Sequence, residues 1–186
     1  IYGLGRTGLS AFKFLKNDNE IITYDDKIKT DNKKITKIKF DYIILSPGID
    51  INKCKLSNFL KKNYNKIHTD LDIFYNNYKY NYKITITGTN GKSTTAKILY
   101  EVIKAQKIDV RLVGNIGNPI LLEKNITNKT IFIIEASSYQ LAYSKLFKSN
   151  ISMILNISPD HLDRHKTIRG YINAKFKLIK GQSKDD

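Results

Sequence analysis

The feature that most constrains the fold is a glycine-containing loop placed between an apolar strand and a helix. A strand is predicted at 83–87 and a helix from Ser93 to about Lys104, and the loop between them reads Gly88-Thr89-Asn90-Gly91-Lys92-Ser93-Thr94. Small residues let backbone N–H groups turn toward phosphate oxygens, and the helix N-terminus favours an anion. Lys92 has the reach for terminal phosphates, and the Ser93 hydroxyl is a Mg²⁺ ligand type. The general phosphate loop has a glycine where this chain has Ile86, so an ordinary strand–helix turn stays a possible alternative.

A second glycine loop lies at the start of the chain. It reads Gly3-Leu4-Gly5-Arg6-Thr7-Gly8, and Asp25 follows the next predicted strand. This is the dinucleotide-binding pattern, with an acid roughly 20 residues downstream. The pattern alone does not separate NAD, FAD, a UDP-sugar or a tight turn without a ligand.

Polar residues follow two of the predicted strands of the second half. Glu135 ends the apolar run 130–134, and Asp160 and His161 come shortly after the run 151–156. Ligands bind at the carboxyl ends of strands in α/β sheets. Glu135 is therefore a candidate second Mg²⁺ anchor, and His161 a candidate Mg²⁺ or phosphate contact. The alternatives are an exposed strand-end glutamate and a solvated loop with helix-capping aspartates.

Strands and helices alternate along the whole chain, which predicts an α/β fold with parallel sheets. A polar, tyrosine-rich stretch from Tyr75 to Tyr82 interrupts the alternation. We expect a Rossmann-like domain at 1–69 and a P-loop-type α/β domain at 70–186. The remaining predicted elements are strands at 1–2, 21–24, 42–45 and 110–113 and helices at 8–16, 55–63 and 168–180.

Composition narrows the possible classes of protein. The 186 residues contain one cysteine, so an internal disulfide is excluded, and no apolar run approaches the roughly 20 residues that span a bilayer. A cytoplasmic protein is expected. The net charge of +15 raises nucleic-acid binding as an alternative, but the lysines are scattered and only four residues are arginine. Nucleic-acid sites concentrate charge and favour arginine, so we expect no nucleic-acid partner.

Together these segments resemble the Mur ligase family, over essentially the whole chain and in the family's order. Further matching segments are Ser46-Pro47-Gly48-Ile49, Gly114-Asn115-Ile116-Gly117, Glu135-Ala136-Ser137-Ser138-Tyr139-Gln140 and Asp160-His161-Leu162-Asp163-Arg164. The family also lacks the first glycine of the general phosphate loop. Within the family, Ser-Ser-aromatic-Gln after the glutamate points to the member that adds D-glutamate.

The resemblance implies a role for each domain and each matching residue. It implies UDP-substrate binding for the domain at 1–69 and ATP binding for the domain at 70–186. ATP is expected on Gly88, Thr89, Asn90, Gly91, Lys92, Ser93 and Thr94. Arg6, Thr7 and Asp25 are expected near the uracil, with Asp26 as the alternative acid, and Asn115 and Ser137 on the UDP-muramoyl substrate. The implied Mg²⁺ contacts are Ser93, Glu135, His161 and, if carbamylated, Lys175. The implied catalytic residues are Lys92, His161 and Lys175.

The resemblance also implies a reaction. ATP phosphorylates the carboxylate of UDP-N-acetylmuramoyl-L-alanine, and the amine of D-glutamate then attacks the acyl phosphate. A monomer without a membrane partner is expected. Residue 1 is Ile and 181–186 follow an unfinished helical pattern, so both ends look cut and this chain alone is expected not to complete the reaction. The open alternatives are a sister ligase for another amino acid, an NAD- or FAD-dependent oxidoreductase, and a nucleic-acid binder.

Overall fold

The first third of the chain forms a small parallel sheet with helices around it. The computed structural model describes residues 1–28 and 32–182, so residues 183–186 of the predicted unfinished helical pattern lie outside it. Strand β1 (Ile43–Ile44) pairs in parallel with β2 (Ile67–His68), and Tyr2 adds single parallel bridges to Tyr24 and Leu45. The helices of this part are α1 (Arg6–Leu15), α2 (Asn32–Lys37) and α3 (Ser57–Lys62), with a 3₁₀ turn at Tyr64–Lys66.

The strands predicted at 1–2 and 21–24 are wrong in extent. What remains of them is the bridge between Tyr2 and Tyr24 and the bridge between Tyr2 and Leu45, although the hydrogen bonds are sheet-like: Gly3 N–H donates to Tyr24 O and Tyr24 N–H donates to Ile1 O, both at 2.8 Å. The pairing stops because the chain turns away at Gly3, whose φ is +89°. Leu4 and the residues after it form the loop and helix α1.

The second part is built on a four-stranded parallel sheet in the order β4-β5-β3-β6. All four strands were predicted, and the α/β fold class is confirmed. The strands are β3 (Lys83–Thr87), β4 (Val110–Gly114), β5 (Ile131–Glu135) and β6 (Ile151–Ile154). The helices are α5 (Lys92–Ala105), α6 (Ser138–Tyr143), α7 (Leu162–His165) and α8 (Ile168–Lys180), with a 3₁₀ turn at Ile120–Leu122.

The polar stretch from Tyr75 to Tyr82 interrupts the alternation only in part. Its first residues belong to helix α4 (Asp70–Asn77), which the sequence did not predict and which begins with a capping box between Thr69 and Asp72. The helix forms because Leu71 and Phe74 are completely buried, and Phe74 meets the edge of Phe132 at a ring separation of 4.8 Å. Tertiary packing therefore decides the conformation of a segment whose composition is polar.

The side chains of β5 alternate between two apolar layers, as expected of a strand buried on both faces. Phe132 and Ile134 belong to a core shared with α4, α6 and α8, which also includes Ala11 of α1. Ile133 points to the opposite side and packs with Ala96 of α5. Within the described residues, no helix is long and apolar enough to cross a bilayer.

Candidate active site

The carboxyl ends of the strands in both sheets open onto one cleft of about 720 Å³. Parallel sheets bind ligands at this edge, because the loops that follow the strands converge there. Nine of the predicted site residues line the cleft: Arg6, Thr7, Asp25, Gly88, Lys92, Asn115, Ser137, His161 and Lys175. These residues are spread over 170 positions of the sequence, and the fold brings them together.

The loop after β3 leads directly into the N-terminus of α5. Gly91 precedes the helix with φ +81°, a conformation that side chains other than glycine rarely adopt. The loop is fixed to the end of β6, because Asn90 N–H donates to Asn156 Oδ1 at 2.9 Å and Thr89 N–H to Asn156 O at 3.1 Å. Lys92 Nζ bends back and donates to Thr89 O at 2.7 Å. The first-turn amides of α5 have no intrahelical acceptor, so this end of the helix suits an anion.

Glu135 is completely buried at the end of β5, yet it is tied to the cleft by two side chains. Ser93 Oγ donates to Glu135 Oε2 at 2.8 Å, and Asn115 Nδ2 donates to Glu135 Oε1 at 2.9 Å. The strand end, the α5 N-terminus and the loop after β4 therefore meet at one carboxylate. Ser93 and Glu135 are the pair best suited to hold a divalent cation, since both present oxygen.

Lys175 is only 1% exposed although its side chain ends in an amine. Its Nζ donates to Gly88 O at 2.7 Å and to Thr87 Oγ1 at 3.4 Å. Burial, with a smaller contribution from the nearby Lys92 cation, lowers the pKa of Lys175 to about 8. This amine is held against the phosphate-type loop in a partly neutral form near physiological pH.

His161 lines the cleft immediately before α7. It adopts a left-handed conformation with φ +52°, and its ring lies 4.8 Å from the ring of Tyr139. Its Nε2 is 3.4 Å from Asp160 Oδ2, and its side chain is 45% exposed. The ring is therefore oriented by neighbours but remains open to the cleft.

The first glycine loop is packed too tightly for any side chain at Gly8. A Cβ there would lie 1.8 Å from Gly3 O, so only glycine lets α1 approach the strand this closely. Asp25 closes the loop by accepting from Leu4 N–H at 2.7 Å, which lowers the pKa of its carboxyl. Asp26 also lines the cleft and accepts from Tyr2 Oη at 2.6 Å. Both candidates for the uracil contact, Asp25 and Asp26, therefore lie at the cleft.

Two arginines connect the two sides of the cleft. Arg6 donates to the carbonyl oxygen of Gly117, and Arg164 donates to Ile49 O at 2.6 Å and Pro47 O at 3.2 Å. The Arg164 guanidinium also lies over the rings of Tyr139 and Tyr143, at 5.1 and 5.2 Å. Arg164 thus joins α7 to the loop after β1.

Ser137 is the N-cap of α6 and forms a capping box with Gln140. Ser137 N–H and Ser137 Oγ each donate to Gln140 Oε1 at 3.1 Å. The other end of the same amide, Gln140 Nε2, donates to Asp70 Oδ2 at 3.2 Å. A buried acid of α4 is therefore linked through one side chain to a residue that lines the cleft.

The sequence analysis missed Tyr171 as a member of the site. Tyr171 is buried in the floor of the cleft, and its hydroxyl lies 3.1 Å from Thr89 Oγ1. Its position one helical turn before Lys175 was the available signal, because residues four apart share a helix face. The remaining predicted loop residues Thr89, Asn90, Gly91 and Thr94 form the loop and first turn of α5 beside the cleft.

Comparison with known proteins agrees with this geometry. A family model described as the Mur ligase middle domain matches residues 86–186. The chain is 38% identical to the UDP-N-acetylmuramoylalanine--D-glutamate ligase of Rickettsia bellii, covering 100% of this chain and 44% of that protein. It is 36% identical to the protein of the same name in Caldicellulosiruptor bescii, covering 96% of this chain and 44% of that protein.

A solved structure shares the fold at low sequence identity. The UDP-N-acetylmuramate:L-alanyl-gamma-D-glutamyl-meso-diaminopimelate ligase from Neisseria meningitides superposes with a TM-score of 0.59 and 14% identity, covering 98% of this chain and 67% of that chain. The chain spans 44% of the length of the two sequence relatives. The family model and the two sequence relatives lead to one assignment: the chain belongs to the Mur ligase family.

Proposed function

We propose that this chain is the UDP-substrate-binding and ATP-binding part of a ligase that joins D-glutamate to UDP-N-acetylmuramoyl-L-alanine. The observation that carries the proposal is the single cleft in which Lys92, His161 and the first glycine loop face one another. A nucleotide-sugar site and a triphosphate site in one cavity suit a reaction between two phosphorylated substrates. An oxidoreductase built on the first loop would leave Lys92 and the Ser93–Glu135 pair without a role.

The UDP-linked substrate is proposed to lie along the first sheet and end near the loop after β3. Arg6, Thr7 and Asp25 are suited to the uracil end, and Asn115 and Ser137 to the muramoyl end. The substrate carboxylate would then approach the α5 N-terminus, where ATP is proposed to bind.

Lys92 and the α5 amides are the groups proposed to hold the transferred phosphoryl group. An oxygen of the substrate carboxylate attacks the γ-phosphorus, the bond to the bridging oxygen of ATP breaks, and ADP leaves with the electron pair. Negative charge accumulates on both reactants, and preorganised donors in a water-poor cleft stabilise that charge. The amine of D-glutamate then displaces phosphate from the acyl phosphate.

The site is compatible with Mg²⁺. Ser93 Oγ and Glu135 Oε2 lie 2.8 Å apart, close to the spacing of adjacent ligands on an octahedral ion with bonds of about 2.0–2.1 Å. Among the described residues, no group of three or more His, Cys, Asp and Glu side chains forms a metal cage. Mg²⁺ is commonly held by one or two protein groups together with phosphates, and it neutralises phosphate charge. Ser93 and Glu135 would hold such an ion, and His161 lines the same cleft as a further candidate contact.

Carbamylation of Lys175 is proposed because its amine is buried and partly neutral. A neutral amine adds CO₂ and releases a proton, which replaces a cation by a carboxylate-like anion. The lowered pKa of about 8 favours this step, and Lys92 supplies a neighbouring positive charge for the product. The carbamate nitrogen retains one N–H, enough for the bond to Gly88 O.

ATP and UDP-sugars are cytoplasmic metabolites, so we propose the cytoplasm as the location. We also propose a monomer without a nucleic-acid partner, since the positive charge is spread along the chain.

The test is an amide-formation assay with the complete gene product, ATP, Mg²⁺ and UDP-N-acetylmuramoyl-L-alanine. ADP release should depend on D-glutamate and should not be supported by glycine, L-lysine or diaminopimelate. Preference for another amino acid would replace the proposal by a sister ligase. The 186-residue chain alone is expected to bind UDP-N-acetylmuramoyl-L-alanine by calorimetry without forming the amide, and D-glutamate-dependent ADP release by this chain would contradict that expectation.

A further inference from the structure

We propose that Asp70 is a positioning residue that orients Ser137 toward the UDP-muramoyl substrate through the side-chain amide of Gln140. The inference rests on the proposed function in one respect, namely that Ser137 contacts that substrate. Asp70 itself is outside the cleft and is 4% exposed.

The amide of Gln140 has two different ends, and its neighbours determine which end points where. Ser137 N–H is a donor only, so it requires Gln140 Oε1, which it meets at 3.1 Å. An ionised carboxylate is an acceptor only, so Asp70 Oδ2 requires Gln140 Nε2, which it meets at 3.2 Å. Asp70 and the Ser137 backbone therefore select the same one of the two amide orientations.

The selected orientation also fixes the hydroxyl of Ser137. Ser137 Oγ donates its proton to Gln140 Oε1 at 3.1 Å and accepts from Gln140 N–H at 3.3 Å. With its proton committed to Gln140, the hydroxyl presents its remaining lone pair to the cleft as an acceptor. A Gln140 amide turned by 180° would set NH₂ against Ser137 N–H and release both bonds to Oε1.

Asp70 is firmly held where it can act. It is the first residue of α4, where the helix N-terminus favours negative charge, and the Thr69–Asp72 capping box fixes that terminus. Burial nevertheless raises the pKa of Asp70 to about 6. A carboxylate in this position costs stability, and its contact with Gln140 is one that an apolar residue could not replace.

The next acid of the same helix has a second task, and one of its partners supplies a control. Asp72 Oδ1 accepts from Ser144 Oγ at 2.7 Å and from the N–H groups of Lys145 and Leu146 at 2.9 and 2.8 Å. Asp72 thus secures the chain beyond the far end of α6, while Asp70 contacts its first turn. Removal of the Ser144 hydroxyl weakens this structural contact and leaves the Thr69–Asp72 capping box intact, so it separates a purely structural effect from a positioning effect.

The experiment measures kcat and both KM values for the complete gene product and its Asp70→Leu variant. Asp70→Leu is expected to raise KM for UDP-N-acetylmuramoyl-L-alanine about tenfold, a loss of about 1.4 kcal/mol, while KM for ATP stays within about twofold. Ser144→Ala removes one donor to Asp72 Oδ1 and is expected to lower the melting temperature and leave both KM values unchanged. A folded Asp70→Leu protein with an unchanged KM for the UDP substrate would overturn the inference.

Two further variants keep the result decisive. If Asp70→Leu does not fold, the near-isosteric Asp70→Asn carries the test, because its amide pairs with either end of Gln140 and should raise the same KM about threefold. Addition of Asp70→Leu to Gln140→Leu should raise KM for the UDP substrate no further, and additive effects would contradict action through Gln140.

The unmodified protein separates this inference from the proposed function. If it does not bind the UDP substrate, both are overturned. If it binds normally and Asp70→Leu leaves KM for the UDP substrate unchanged, the inference alone is overturned.

Discussion

Among the residues that the structure describes, two lysine side chains are almost completely buried, Lys83 and Lys175, each 1% exposed. Lys83 Nζ donates to Asn81 O at 2.6 Å and to Lys79 O at 3.0 Å, so both amines are paired with backbone carbonyls. Burial lowers the pKa of each from 10.5 to about 8. Charge at these positions therefore opposes folding at neutral pH.

The free energy of unfolding should rise when the pH increases from about 8 to about 9. In this window the unfolded chain keeps both protons and the folded chain loses them, so deprotonation favours the folded state by about 1 kcal/mol per lysine. Urea denaturation at the two pH values measures the change, in CO₂-free buffer so that Lys175 is an unmodified amine. Lys83→Met should remove about half of it, and a free energy that stays level between these pH values would contradict the assignment.

Lys92 is expected to matter for nucleotide use and little for stability. Lys92→Met should lower kcat by a factor of about 10²–10³, because one preorganised cation facing the transferred phosphoryl group is lost. Among the described residues, the Lys92 side-chain amine donates a hydrogen bond only to Thr89 O, so the melting temperature of the variant should change little. Lys97→Met is the matched control, since Lys97 lies on the same helix with its side chain 67% exposed. Equal losses of kcat in the Lys92→Met and Lys97→Met variants would argue against a role of Lys92 in phosphoryl transfer.

At the scale of elements, α8 is the helix that carries the floor of the site. Tyr171, Ala174, Lys175 and Leu178 are buried at helical spacing, and the predicted bounds 168–180 agree with the observed Ile168–Lys180. Thr167 is its N-cap, and its Oγ1 accepts from Gly170 N–H at 3.0 Å. Local sequence is sufficient here because both the apolar spacing and the cap lie within the helix.

Thr167→Ala should destabilise the protein by about 1 kcal/mol, the usual cost of losing an N-cap hydrogen bond. Chemical denaturation measures the loss, and Thr167→Ser, which keeps the hydroxyl, should recover most of it. If the serine variant were as unstable as the alanine variant, the cap would not be the cause.

At the scale of the whole molecule, the cleft exists only while the two sheets keep their spacing. Arg164 contributes to that spacing through its bonds to Pro47 and Ile49, which lie more than 100 residues earlier in the chain. Ile51 N–H adds a bond to Tyr143 Oη at 3.3 Å beside it. The geometry of the site therefore depends on contacts at a distance from the phosphate-type loop.

Arg164→Met should weaken binding of UDP-N-acetylmuramoyl-L-alanine about tenfold, because two hydrogen bonds across the cleft are lost. Calorimetry with the complete gene product measures the affinity. Arg169→Met removes the same charge from an exposed position of α8 and should bind like the parent. A comparable loss of affinity in both variants would indicate that net charge, and not the cross-cleft contact, determines binding of the UDP substrate.

The sequence by itself determined the elements that carry the chemistry. The strand, glycine loop and helix around Lys92, the acid at the end of β5 and the helix of Lys175 were all predicted, because spacing and glycine act over a few residues. Short α6 and polar α4 were not predicted, since their few residues give little periodicity and their stability comes from packing.

Only the tertiary structure decided which residues are neighbours. The burial of Lys175 against Gly88, the Arg164 contact to Ile49 and the link from Asp70 to Ser137 join residues 67 to 115 positions apart. No local pattern specifies such pairs, because they depend on how two separately patterned sheets pack around a common core. The sequence therefore fixes the parts of the site, and packing fixes the distances between them.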